Sequence, residues 1–157
     1  MNEEITKAYD SADDVLPHIE LVQKNMDLII NELLQRSNNH DQSKLYSPEK
    51  ETFDKYIPLL KEVKFGTPEY TKLRQEMYEN GLKHHFQSSR HHPEHFKNGI
   101  NDMNLVDIVE MFIDWYSASM RSDTSFEKGL EYNVKKFKVS PQLEEIFKNT
   151  YETYFKK

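Results

Sequence analysis

Residues 104–121 read NLVDIVEMFIDWYSASMR, and this stretch decides the fold. Leu105, Val106, Ile108, Val109, Met111, Phe112, Ile113, Trp115, Tyr116 and Met120 are apolar, whereas Asp107, Glu110, Asp114, Ser117 and Arg121 recur three or four residues apart. That spacing is helical and gathers the polar side chains into one stripe. Asn104, followed three residues later by Asp107, supplies the start signal. A helix apolar over most of its circumference is predicted to be buried. Carboxylates on such a helix need partners, and metal ions are one kind. Asp107 and Asp114 stand about 10 Å apart along the axis at about 1.5 Å per residue, so the two are not expected to ligate one ion.

The same grammar of helix starts runs through the rest of the chain. Ser47-Pro48-Glu49, Thr67-Pro68-Glu69 and Ser140-Pro141-Gln142 each join a capping hydroxyl, a proline at the first helical position and an acidic or amide residue in the first turn. Thr124 followed by Glu127 reads as a further cap. Ile19, Val22, Met26, Ile29, Ile30, Leu33 and Leu34 recur at helical spacing and predict a long first helix from about residue 17 to 36. Residues 88–103 hold Pro93 and Gly99 and have no apolar period, which predicts a loop. No segment alternates with the period of a strand. The expectation is an all-α protein, one helical bundle of about six to seven helices spanning 1–157 with its core at about 15–150.

Composition narrows the class of function. The chain has 157 residues, a formal net charge of -6, no cysteine and four glycines. Without cysteine there is no disulfide and no thiolate zinc site, so any metal is held by nitrogen and oxygen. The negative balance argues against a broad nucleic-acid surface, and no run of apolar residues approaches a membrane span. The start Met1-Asn2-Glu3-Glu4 lacks a basic-then-apolar leader, which predicts a cytoplasmic protein.

Histidine carries the chemistry. Of seven, His84, His85, His91, His92 and His95 fall within twelve residues, and imidazole is the commonest protein ligand for mid-series divalent metals. His84 and His85 are expected to end the helix begun at Pro68. Because Pro93 biases His92 to an extended backbone, His91 and His92 point to different sides, so one is expected on a given ion and the other on a second ion or the substrate. Upstream, His40-Asp41 offers an imidazole and a carboxylate to one ion, with a spare oxygen to bridge to another. Lys44, three residues on, is placed to meet a phosphate. His18 shares a helix face with Val22, Asn25 and Ile29, a face expected to point inward.

In this order, His18, then His40-Asp41-x-Ser-Lys44, then further histidines, then a late-helix aspartate, the chain resembles the HD-domain superfamily of metal-dependent phosphohydrolases. His91-His92-Pro93-Glu94 and Asp114-Trp115 also resemble segments of its HD-GYP branch. A small phage and bacterial family sharing the His-Asp-x-Ser-Lys, His-His-Pro-Glu and Asp-Trp runs is similar over about residues 15–150. Ser43 replaces the usual glycine, and the Gly-Tyr-Pro run of the HD-GYP branch is absent, so cyclic-dinucleotide cleavage is not carried over.

The resemblance implies an all-helical fold with one or two divalent ions of Mn, Fe, Co, Ni or Zn. His18, His40, Asp41 and Asp114 would hold the first, with Asp107 the second choice for the last ligand. Asp41 would bridge to an ion held by His85 and by His91 or His92. Lys44 and Arg90 would neutralise charge on a phosphoryl group. The implied partner is a small phosphorylated substrate such as a nucleotide, with further copies of the chain allowed. The competing functions are a di-iron oxygenase on the same fold and a non-catalytic metal- or nucleotide-binding regulatory module.

Overall fold

The computed structural model describes residues 9–64, 66–121 and 124–156. Among these, seven α-helices and no strand occur, so the protein is all-α. They are α1 (Ala12–Asn39), α2 (Glu49–Glu62), α3 (Pro68–Met77), α4 (Lys83–Ser88), α5 (Leu105–Ser119), α6 (Phe126–Phe137) and α7 (Pro141–Tyr154). The chain divides after Asn38 into two compact units, residues 1–38 and 39–157, a boundary that the sequence does not announce.

The first unit is essentially α1. It begins five residues before Pro17, the expected start, and that proline lies inside the helix. With no amide at Pro17, the Asp13 carbonyl loses its intrahelical donor. Near the end of a 28-residue helix this is tolerated. The inward face expected of His18, Val22 and Ile29 is not observed. No α1 residue is buried, and Val22 and Ile29 are 41% and 48% exposed.

In the second unit α5 is the central element. Met111 and Phe112 enter a core with Phe126 and Leu130 of α6, Val139 of the connection after it and Phe147 of α7. Phe112 packs edge-on to Phe126 at 5.6 Å and stacks on Phe147 at 5.3 Å, while Trp115 stacks on Phe137 at 5.8 Å. Burial is one-sided, against the expectation of a buried helix. Leu105, Val109, Ile113 and Met120 remain exposed. The polar stripe is held on a face of its own because α5 is fixed by aromatic packing opposite it.

A second core joins α2 to the segment after α3. Glu49, Thr52 and Tyr56 lie three and four residues apart on one α2 face and are all buried. Opposite them stand Met77, Gly81, Leu82 and His85. The approach is close enough to require glycine: a Cβ at Gly81 would meet the Thr52 side chain at 2.3 Å, and Thr52 Oγ1 donates to the Asn80 carbonyl at 2.8 Å. Between α3 and α4 the chain kinks at Gly81, whose backbone leaves the helical region (φ 174°, ψ -28°). The kink redirects the helix that follows. Here the next residues are Lys83, His84 and His85.

Most helix starts are built as the sequence predicts. Thr67 and Ser140 cap α3 and α7 with proline at the next position, and Asn104 with Asp107 forms a reciprocal capping box on α5. Two differ. Pro48 itself occupies the cap position of α2, with no side-chain bond from Ser47. For α6 the cap is Ser125 rather than Thr124. The predicted loop 88–103 folds into two short 3-10 turns, Pro93–His95 and Gly99–Asp102.

Candidate metal centre

The second unit brings together side chains from five places. His40 and Asp41 form the turn after α1, where Asp41 adopts a left-handed backbone with φ of 58°. Asp tolerates this conformation better than most residues. Its effect is to reverse the chain into the short turn Gln42–Leu45. The turn presents Ser43 to Glu49 (Oγ to Oε2, 2.8 Å) and Lys44 to Asp41 (Nζ to Oδ2, 2.5 Å). Glu49 comes from the first turn of α2, His85 from α4, His91 and His92 from the connection after it, and Glu110 and Asp114 from α5.

The imidazoles share one orientation. His40 and His91 direct Nδ1 at the same Glu110 oxygen, Oε1, at 2.9 and 3.1 Å. His85 directs Nδ1 at Glu49 Oε2, 3.0 Å away. A carboxylate at Nδ1 holds the proton there and turns the Nε2 lone pair outward, which is how metal-binding histidines are usually oriented. The three Nε2 atoms converge on Asp41. From His85 and His91 to Asp41 Oδ1 the distances are 3.2 and 3.5 Å, and from His40 to Asp41 Oδ2 the distance is 3.6 Å. His40 Nε2 is also 3.5 Å from Asp114 Oδ1.

Among the described residues two groups of donor atoms occur, His40 with Asp41 and His91, and His85 with His91 and His92, the atoms of each group lying within 4.8 Å of one another. His91 belongs to both. Asp41 Oδ1 and His91 Nε2 are buried and make no hydrogen bond. Unsatisfied buried polar atoms are rare and call for an explanation such as an ion. His85 Nε2 and His92 Nε2 stand 3.0 Å apart, and two lone pairs at that distance require a proton or a cation between them. The donor set therefore fits a divalent first-row metal held by nitrogen and carboxylate.

Electrostatics describe the same cluster with protons in the metal's place. Asp114 and Glu110 beside His40 raise its pKa to about 10. Burial pushes the Asp41 carboxyl up, but His85, His91 and Lys44 around it prevail and hold it well below the usual range. For His91, burial favours the neutral ring, yet Asp41 and Glu110 raise its pKa on balance. Burial, together with the charges of His91 and His85, brings His92 down to about 3. Asp114 is pushed up by burial and brought lower on balance by His40. Glu49 is likewise lowered, with Ser43 and His84 outweighing its burial.

The other residues singled out in the sequence are placed as follows. His18 lies on α1 in the first unit, and both donor groups of the second unit form without it. Asp107 is wholly buried and held by Arg90, with Nε to Oδ1 at 3.0 Å and Nη2 to Oδ2 at 2.8 Å. This leaves Asp114 as the α5 aspartate beside His40. The same bidentate pair, with the guanidinium 4.9 Å from the Phe96 ring centre, commits Arg90 to structure rather than to a phosphoryl group. Substituting Arg90→Ala should take the guanidinium away from the buried Asp107 carboxylate, leaving its capping bond from the Asn104 amide, and lower stability by about 3 kcal/mol, the low end for a broken buried pair because Arg90 is partly exposed. Urea unfolding measures the loss, and unchanged metal content in the folded variant separates Arg90 from the site.

His84 is mostly exposed and binds the other Glu49 oxygen at 2.9 Å. His95 donates from Nδ1 to the Gln87 carbonyl at 2.7 Å and packs on Phe96 at 4.6 Å. Glu49 and Glu110, which orient the imidazoles, are the functional residues that sequence reading does not assign. Glu110 is visible in the stripe, one turn before Asp114. Glu49 has only the signature of a helix start.

No helix among the described residues is long and apolar enough to cross a membrane. No curated protein and no solved structure matches the chain. One family model does match, over residues 7–153, and with nearly the whole chain covered the protein belongs to the family of unknown function DUF5662.

Proposed function

We propose that the protein is a metal-dependent phosphohydrolase acting on a nucleotide or another small phosphoester. The observation that carries the metal is the common orientation of His40, His85 and His91, Nδ1 on Glu110 or Glu49 and Nε2 toward Asp41, whose buried Oδ1 makes no hydrogen bond. His40, Asp41 and His91, with Asp114 beside His40, would hold one ion, and His85, His91 and His92 offer a second group. When bound, a divalent ion lowers the pKa of a coordinated water toward neutrality and so supplies hydroxide. Support for phosphoester chemistry is the resemblance of the His40-Asp41-x-Ser43-Lys44 run to HD-domain enzymes. Lys44 is paired with Asp41 beside the cluster, and in this reading its ammonium would meet a phosphoryl oxygen.

The test is elemental analysis of protein purified without a chelating tag, followed by a screen of nucleotides and phosphate esters with added manganese. Bound metal and turnover are expected together. Protein that takes up no transition metal sinks the centre itself, whereas metal without hydrolysis across the panel sinks only the phosphohydrolase reading. Oxygen consumption by the iron form would place it among the oxygenases instead.

Metal uptake should release protons. In the metal-free protein the elevated His40 pKa adds stability below its ordinary 6.5, and that contribution is lost as pH rises through about 10. An ion at Nε2 must displace that proton. Apparent affinity should therefore climb with pH by about tenfold per unit for each proton displaced, and keep climbing above pH 8. Calorimetry in buffers of different ionisation enthalpy measures the protons released. Affinity that is flat from pH 6 to 9 contradicts this.

A further inference from the structure

Each donor group of the centre has a histidine of its own. His40 belongs to the first alone and His85 to the second alone, while His91 stands in both. Different helices hold the two: Glu110 of α5 bonds His40, and Glu49 of α2 bonds His85. Given the metal centre proposed above, on which this rests, we propose that Glu49 is the positioning residue for a second ion, the one ligated by His85. Its loss empties that position and leaves the ion at His40 in place.

The surroundings of Glu49 separate this role from that of a helix start. In the first turn of α2 a carboxylate is favoured by the helix dipole, but that effect needs no burial, and Glu49 is 1% exposed. A buried carboxylate is costly unless hydrogen-bonded, and its donors come from two other segments. Ser43 Oγ at 2.8 Å and His85 Nδ1 at 3.0 Å meet Oε2, and His84 Nδ1 at 2.9 Å meets Oε1. None of the three carries a permanent charge. Such an anion gains a purpose by making the imidazole it faces a better ligand.

The His85 ring is wholly buried between Phe53, edge-on at 6.4 Å, and Phe86 at 6.1 Å. These walls confine the ring but offer no acceptor. The hydroxyls of Ser43 and Ser89 stand farther from Nδ1 than Glu49 does, at 3.4 and 3.3 Å. With the proton held on Nδ1, the Nε2 lone pair faces Asp41 Oδ1 at 3.2 Å and His92 Nε2 at 3.0 Å. Ser43 lies two residues after Asp41, so one Glu49 oxygen ties the turn that carries Asp41 to the helix that carries His85. His84 braces the other oxygen from the exposed side and is not itself a ligand.

Cobalt titration of the full chain, read by equilibrium dialysis and by the visible spectrum, tests the proposal. The wild type should take up two equivalents. Glu49→Leu removes the acceptor and should weaken one of them about ten- to a hundredfold, the usual effect of losing a partner that orients a ligand, with the affinity and spectrum of the other unchanged. A general loss of stability does not select one ion of two. Glu49→Gln keeps one oxygen for His85 and should fall between the two proteins, and His84→Ala should keep both ions. If Glu49→Leu does not fold, nitrogen NMR of the zinc-loaded wild type puts the same question: His85 should carry its proton on Nδ1 and zinc on Nε2, and the opposite tautomer overturns the proposal. So does a wild type that takes up a single ion, or a folded Glu49→Leu protein that keeps both ions at full affinity or loses both together, and these outcomes leave the centre itself standing. A wild type that takes up no metal sinks the centre and the role of Glu49 with it.

Discussion

Replacing Asp41 with asparagine should lower transition-metal affinity about a hundredfold or more and leave the helices in place. The size comes from sharing: structural metal sites are worth about 10–16 kcal/mol, so one of roughly four ligands carries about 3 kcal/mol, and each 1.4 kcal/mol is a factor of about ten. Asp41 is the proposed ligand whose loss should be felt most widely. Its two oxygens face the Nε2 atoms of His40, His85 and His91 and the Lys44 ammonium, so neutralising it leaves four nitrogen groups without their common anion. Asparagine isolates that effect from the backbone, because it accepts the left-handed conformation at φ of 58° as readily as aspartate. The metal-free variant should also lose stability at neutral pH. A carboxyl held below its usual pKa stabilises the fold above about pH 4, and that contribution vanishes as pH falls through the folded value. Metal titration followed by calorimetry, with circular dichroism as the check on fold, reads both effects. A variant that binds metal like the wild type removes Asp41 from the centre.

The fold and the site are legible in the sequence to different depths, for physical reasons. Capping chemistry is local, so Thr67, Asn104 and Ser140 mark their helices correctly. Where two neighbours both carry a capping hydroxyl, at Thr124 and Ser125, the sequence points one residue too early. Periodicity identifies α1 and α5 as helices but not what covers them. An apolar stripe states only that a face avoids water, and α1 shows such a stripe with no residue buried. The placement of Gly81 against Thr52 and the kink at Gly81 before His84 are set by tertiary contact, and neither residue type nor spacing announces them.

For the site, side-chain type is readable and geometry is not. His40, Asp41, His85, His91 and His92 stand out because imidazole and carboxylate are costly to gather without purpose, and they do gather. The choice between Asp107 and Asp114 turns on Arg90, seventeen residues before Asp107 and invisible as its partner until the chain folds. Arg90 itself is expected from the sequence at a phosphoryl group. The bidentate pair with a buried carboxylate is the stronger claim on a guanidinium. His18 enters the ligand set by resemblance, and both donor groups of the second unit form without it.

The residue that gives the centre its order is Glu110, and Glu110→Gln should weaken metal binding about ten- to a hundredfold, the usual effect of removing a partner that orients a ligand. One oxygen, Oε1, receives the Nδ1 protons of both His40 and His91. Their rings consequently sit 4.4 Å apart, centre to centre, with both Nε2 atoms facing Asp41. Glutamine keeps the shape but only one accepting atom, and its amide nitrogen, if turned inward, faces a donor with a donor. At least one ring is then free to rotate or change tautomer, which takes Nε2 off the metal. The loss should appear in affinity and in the spectrum of a cobalt-substituted protein, since distorted coordination changes the ligand field while a merely destabilised fold does not. Glu110→Asp, a carboxylate one methylene shorter, should restore part of the affinity. An unchanged cobalt spectrum and affinity in Glu110→Gln would mean that the shared oxygen positions nothing, and that burial alone fixes His40 and His91.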